Sequence, residues 1–132
     1  MSRLAGKRAL VTGASRGIGA AIAQQLAAEG ADVAITYERS AEKAASVVKA
    51  IEALGRKGAA IAADSADPAA VKRSVDQAAQ ALGGLDILVN NAGIYRGGPV
   101  EDWSLADIDT IMAVNIRAVV LASQAAAAHL GE

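Results

Sequence analysis

The segment Thr12-Gly13-Ala14-Ser15-Arg16-Gly17-Ile18-Gly19 holds the residues best placed to do chemistry. It follows the apolar run Ala9–Val11 and opens a helical pattern in which Ile18, Ile22 and Leu26 recur at i, i+4 and i+8. That pattern is a strand, a tight glycine turn and a helix whose first amides lack intrahelical partners. Such amides, with the positive end of the helix dipole, attract a phosphate. Gly13 permits the turn, Gly17 lets backbone approach a phosphate, and Gly19 lets the helix pack close to the strand. The spacing is G-x-x-x-G-x-G, not G-x-G-x-x-G. A glycine turn also joins strand to helix without any ligand, so the loop alone leaves both readings open.

The surrounding chain is rhythmic. Apolar runs at Ala9–Val11, Val33–Tyr37, Ala59–Ala63 and Leu85–Val89 recur about every 26 residues, the period of a strand-helix unit. Between them, Ala44, Val47, Val48, Ile51 and Leu54 share one helical face, with Ser40 placed as N-cap and Gly55 as terminator. Val71, Val75, Ala78 and Leu82 repeat the pattern, with Asp67 as N-cap, Pro68 at the first helical position and Gly83-Gly84 at the end. A last helical region is expected from about Ser104 to Leu130. Alternating strands and helices predict an α/β fold: a Rossmann-type three-layer sandwich on a parallel sheet of order 3-2-1-4. Its switch point lies between strands 1 and 4, where ligands bind outside the strands' carboxyl ends. Thr12-Gly13 and Asn90-Asn91-Ala92-Gly93 should line that crevice. One domain is expected over residues 1–132.

Composition narrows the function. Apolar residues make up 53% of the chain, but Tyr37, Tyr95 and Trp103 are its only aromatics, so the core must be built from Ala, Val, Ile and Leu. A formal net charge of −1 offers no field for nucleic acid, which is not expected as a partner. No cysteine and a single histidine, His129, leave no metal site and no thiol nucleophile. The amino terminus lacks an apolar leader, and no uncharged run approaches a membrane span, so a cytoplasmic protein that avoids membranes is expected. His129 is expected to complement a helix dipole. Trp103 reads as a packing anchor, and Tyr95 and Arg96 as loop surface.

On four elements the chain resembles the short-chain dehydrogenases/reductases, in particular the 3-oxoacyl-acyl-carrier-protein-reductase-like members. The elements are Thr12 to Gly19, Asp64 after strand 3, Asn90-Asn91-Ala92-Gly93 after strand 4, and Asn115 within Val114-Asn115-Ile116. The resemblance covers essentially the whole chain and implies a carbonyl–alcohol oxidoreductase using NAD(P)(H). It implies that Gly13, Gly17 and Gly19 cradle the cofactor's pyrophosphate, with Ser15, Arg16 and Ile18 also in contact with the cofactor. Asp64 would bond the adenine amino group with Ser65 beside it. Asn90 would approach the adenosine ribose, Ala92 and Gly93 would line the crevice, and Asn91 would brace the sheet. Asn115, the one catalytic residue implied here, would kink the long helix and free a backbone carbonyl for a proton relay.

The departures are as informative. The family's Ser and Tyr-x-x-x-Lys are absent: Tyr37 is followed four residues on by Ala41, Tyr95 by Pro99, and no Tyr or Lys follows Asn115. The chain is therefore expected to be the amino-terminal half of an enzyme, a truncated doubly wound sheet that is inactive alone. The alternative is a non-catalytic nucleotide-binding or interaction half-domain. For the parent protein a small carbonyl or alcohol substrate is implied, and a homo-oligomer, since the last helix lies at a subunit interface in the family. Glu38 stands 19 residues after Gly19, near the place of an NAD-selecting acid. Tyr37, however, occupies the strand end, while Arg16, Arg39 and Ser40 offer charge and donors to a 2′-phosphate. The expected cofactor is NADP(H) over NAD(H).

Overall fold

The computed structural model describes residues 2–95 and 97–131; Arg96 lies outside them. Four parallel strands form one sheet: β1 (Arg8–Val11), β2 (Asp32–Tyr37), β3 (Gly58–Ala62) and β4 (Ile87–Val89), in the order β3-β2-β1-β4. Their connections are α1 (Gly17–Ala28), α2 (Ala41–Ala53) and α3 (Pro68–Leu82). After β4 come a 3-10 turn at Val100–Asp102, α4 (Leu105–Met112), a π-helical turn at Ala113–Arg117 and α5 (Ala118–Ala127). The architecture is the expected α/β sandwich. Among the described residues no helix is long and apolar enough to cross a membrane.

Successive strand side chains point to opposite faces, and the two cores follow that alternation. Ala9, Val11, Val33 and Ile35 pack against Ala23 and Ala27 of α1 and Ala44, Val47 and Ile51 of α2. Leu10 and Ala34 face the other way, against Val71, Val75, Ala78 and Leu82 of α3 and Ala118, Ala122 and Ala126 of α5. Alanine dominates both helix faces, so the helices lie close on the sheet.

Two local expectations are corrected. The β4 ladder starts at Ile87, paired with Ala9, and not at Leu85. Asp86 is occupied instead: its carboxylate accepts the Arg8 backbone N–H and the Arg8 Nε–H, each at 3.0 Å. Ser40 precedes α2 but its hydroxyl caps nothing, whereas Asp67 accepts the Ala69 and Ala70 amides at the start of α3. The final helical region is divided by the π turn, which contains Asn115. His129, just past α5, sets its Nε2 2.8 Å from Asp76 Oδ1 on α3 and so ties the two helices of one layer together.

The Arg8–Asp86 pair closes the amino-terminal end of the sheet, and Arg8 Nη1 also donates to Gly83 O at 2.6 Å. The hydrogen bond from Arg8 is the main cause holding the Asp86 carboxyl below the usual carboxylate range. A carboxyl whose folded pKa is depressed stabilises the fold above its unfolded pKa, and that contribution disappears as pH falls through the folded value. Asp86→Asn is therefore expected to lower the thermal midpoint by a few degrees at neutral pH. The gap to wild type should close on acidification below about pH 4, as followed by circular-dichroism melts.

Candidate functional site

The carboxyl ends of β1, β2 and β3 open onto a crevice of about 700 Å³. The loop after β1 forms its floor. Gly13 has φ +61°, a conformation that favours glycine, and a Cβ there would sit 2.8 Å from Ala92 Cα. At Gly19 a Cβ would collide with the Asn91 amide and sit 2.7 Å from Gly13 O. Those two glycines are needed by the protein itself. Gly17 differs: its φ is +60°, yet a Cβ would meet nothing within 4 Å. The space it leaves faces the crevice.

The amino terminus of α1 is also unused by the protein. Arg16, its N-cap residue, makes no side-chain capping bond, and no acid lies in the first turn. By contrast α4 carries a full capping box between Ser104 and Asp107. Exposed, unpaired amides beside a glycine with open space form a cradle for an anion. The chemistry of this donor set fits a pyrophosphate.

Side chains fix the cradle to the sheet. Thr12 Oγ1 accepts the Asn91 and Ala92 amides, both at 3.0 Å. Asn91 Nδ2 donates to Thr12 O at 3.1 Å and Gly13 O at 3.0 Å, bracing β4 against the loop after β1. Buried Thr36, one residue before the end of β2, accepts the Gly13 amide at 3.0 Å. Composition and spacing do not reveal these roles of Thr12 and Thr36; their only sequence signal is a hydroxyl next to a strand end.

The crevice gathers Gly13, Ser15, Arg16, Gly17, Ile18 and Gly19 with Tyr37, Arg39 and Ser40 after β2. Asp64, Ser65, Ala92 and Gly93 line it too, as do Glu38, Ile94, Thr110 and Val114. Asp64 accepts the Ala66 amide at 2.9 Å in an Asx turn. Two expected residues are not among the lining. Asn90 borders a small adjoining cavity of about 20 Å³, which shares Thr36, Ser65, Ala92 and Val114 with the crevice, and donates to Ser123 Oγ at 3.3 Å. The cause is alternation along the end of β4, which turns Asn90 and Asn91 to opposite sides. Asn115 is spent on backbone: it donates to Ile94 O and accepts from Ile94 N, both at 2.8 Å. It clamps the loop after β4 to the π turn.

The family described as short chain dehydrogenase matches residues 7–132. An uncharacterised oxidoreductase of Methylorubrum extorquens is 47% identical over 132 residues, covering all of this chain and 53% of the relative. A versicolorin reductase of Emericella nidulans is 45% identical over 130 residues, covering 98% of this chain and 49% of the relative. A solved short chain dehydrogenase from Burkholderia cenocepacia in complex with NADP is 70% identical, with a TM-score of 0.97 over 98% of this chain and 53% of that one. The chain thus spans about half the length of the curated relatives it matches.

Gly17 and Gly19 should separate by substitution. Gly19→Ala is expected to unfold or strongly destabilise the protein, because backbone and Asn91 must both move. Gly17→Ala costs only the left-handed backbone penalty, about 1–2 kcal/mol, and should leave a cooperative melt. It should nevertheless remove binding of ADP, read by calorimetry.

Proposed function

The chain belongs to the short-chain dehydrogenase family, and we propose that it forms the cofactor-binding part of an oxidoreductase that interconverts a carbonyl and an alcohol with NADP(H). The observation that carries this reading is the unfilled space at Gly17 beside the uncapped start of α1. Gly13, Gly17, Gly19 and the first amides of α1, with Ser15 and Ile18 alongside, would hold the pyrophosphate. Asp64 and Ser65 would take the adenine, and Ala92 and Gly93 would border the dinucleotide. Arg16, Arg39, Ser40 and the uncapped amides of α2 would hold a 2′-phosphate, with Tyr37 at the strand end.

When bound, the nicotinamide supplies or accepts the hydride. Asn115 is a positioning residue: it fixes Ile94, and with Ile94 the wall of the crevice next to Gly93. No Tyr-x-x-x-Lys occurs in the 132 residues, so within this chain no such pair stands ready to move the alcohol proton. The substrate is proposed as a small carbonyl or alcohol. Self-association is supported by a stripe of exposed apolar residues, Leu105, Ile108, Met112, Ile116 and Val120, running along α4, the π turn and α5.

Two measurements test the reading. NADPH should bind more tightly than NADH by about tenfold, the equivalent of one charge-assisted contact of roughly 1.5 kcal/mol, and Arg39→Ala should narrow the difference. Tighter NADH binding would sink the NADP(H) assignment. Secondly, the 132-residue chain should bind cofactor without oxidising NADPH when given a ketone. A positioned general acid is worth about 10²–10⁴-fold, and turnover by mass-verified material would reveal a proton donor elsewhere in the chain.

A further inference from the structure

We propose that Arg117 is a positioning residue for the nucleotide: it reaches from the π turn to the loop after β3 and fixes the segment that presents Asp64 and Ser65. The inference rests on the dinucleotide reading above, in which that segment takes the adenine. The segment is a tight turn. Asp64 Oδ1 accepts the Ala66 amide at 2.9 Å, and Asp64 O accepts the Asp67 amide at 3.0 Å. Both bonds are local, so they shape the turn without fixing where it stands over the sheet. Arg117 supplies a tie of long sequence range. Its Nη2 donates to Ala66 O at 2.8 Å, across 51 residues of chain. The peptide between Ala66 and Asp67 is thereby held at both polar atoms, the carbonyl by Arg117 and the N–H by Asp64.

The far end of this tie is anchored. Arg117 closes the π turn, whose Ala113 and Val114 are buried, and the next residue, Ala118, is buried as well. Asn115, two residues earlier, holds the backbone of Ile94. Residues two apart on a helix do not face the same side, so one turn grips two loops. Asn115 takes the loop after β4, and Arg117 takes the loop after β3. Asp64, Ser65 and Ala66 on one side of the crevice and Gly93 and Ile94 on the other are then referred to a single element. A guanidinium donor makes a stronger bond to a carbonyl than a neutral donor does, and the exposure of Arg117 weakens it. Such a bond contributes little to global stability, but it is enough to bias the placement of a four-residue turn.

The test compares the 132-residue chain with its R117M and R117K variants, with melts to verify equal folding. Without ligand, amide hydrogen exchange at Ala66 and Asp67, read by NMR, is expected to quicken by about threefold or more in R117M. In calorimetry R117M should weaken ADP by about three- to tenfold while leaving inorganic pyrophosphate within about twofold, because pyrophosphate does not use the turn after β3. R117K, which keeps a charged donor, should recover most of both losses. Unchanged exchange or unchanged ADP affinity in R117M overturns the inference. An equal loss for pyrophosphate also overturns it, since Arg117 would then act through its charge on the whole crevice. So does an R117K variant no better than R117M. Failure of wild type to bind ADP would defeat the underlying reading itself, and the ligand-free exchange rates keep that result distinct from a failure of the Arg117 tie.

Discussion

The twist of a parallel sheet spreads its strands apart where their ladder ends, and here the crevice depends on a side-chain lock that resists that spreading. β1 and β4 pair only from Ala9 with Ile87 to Val11 with Val89. Beyond them Thr12 and Asn91 take over with four hydrogen bonds of 3.0–3.1 Å. Thr12 supplies an acceptor to two amides of one chain segment. Asn91 supplies donors to two carbonyls of the other. The position of Gly13, and hence of the open space at Gly17, follows from that exchange. The close fit at Gly19 follows as well, because the amide of Asn91 occupies the volume a Cβ would need.

The two ends of the sheet are secured by different chemistry. At the amino-terminal end an ion pair, Arg8 with Asp86, joins the same two strands. At the carboxyl end the joints are neutral, built from hydroxyl, amide and backbone. A neutral joint leaves the electrostatics of the crevice to the side chains that face a ligand. A charged joint there would compete for phosphate or repel it.

Much of the fold was legible because it rests on periodicity. Strand runs at a regular interval and apolar helical faces led to the order 3-2-1-4, which the structure has. The glycine loop was legible too, since few residues tolerate its backbone. Less legible was anything decided by pairing across the chain. Nothing in the run Leu85–Val89 signals that Asp86 leaves the ladder to meet Arg8, 78 residues away. Ser40 and Asp67 look equally suited to cap a helix, yet only Asp67 does so. Asn90 and Asn91 are identical neighbours whose opposite orientations depend on strand register. The hydroxyls of Thr12 and Thr36 acquire their roles only when three strands are brought side by side.

The alanine surfaces between helices and sheet have an entropic consequence. More than half of the buried apolar residues described are alanines, among them Ala23, Ala27, Ala44, Ala78, Ala118, Ala122 and Ala126. An alanine has no rotamers to lose on folding, whereas a long side chain gives up about 0.5–2 kcal/mol of conformational freedom. The interior is therefore ordered at little side-chain entropy, and it gains less hydrophobic stabilisation per residue in return. Such an interior has little capacity to repack. A large residue in a branched or aromatic core can shift to another rotamer when a neighbour changes, but a methyl group cannot. Positions along these faces should accordingly tolerate almost no increase in volume, and evolution of this fold must proceed at its loops and rim.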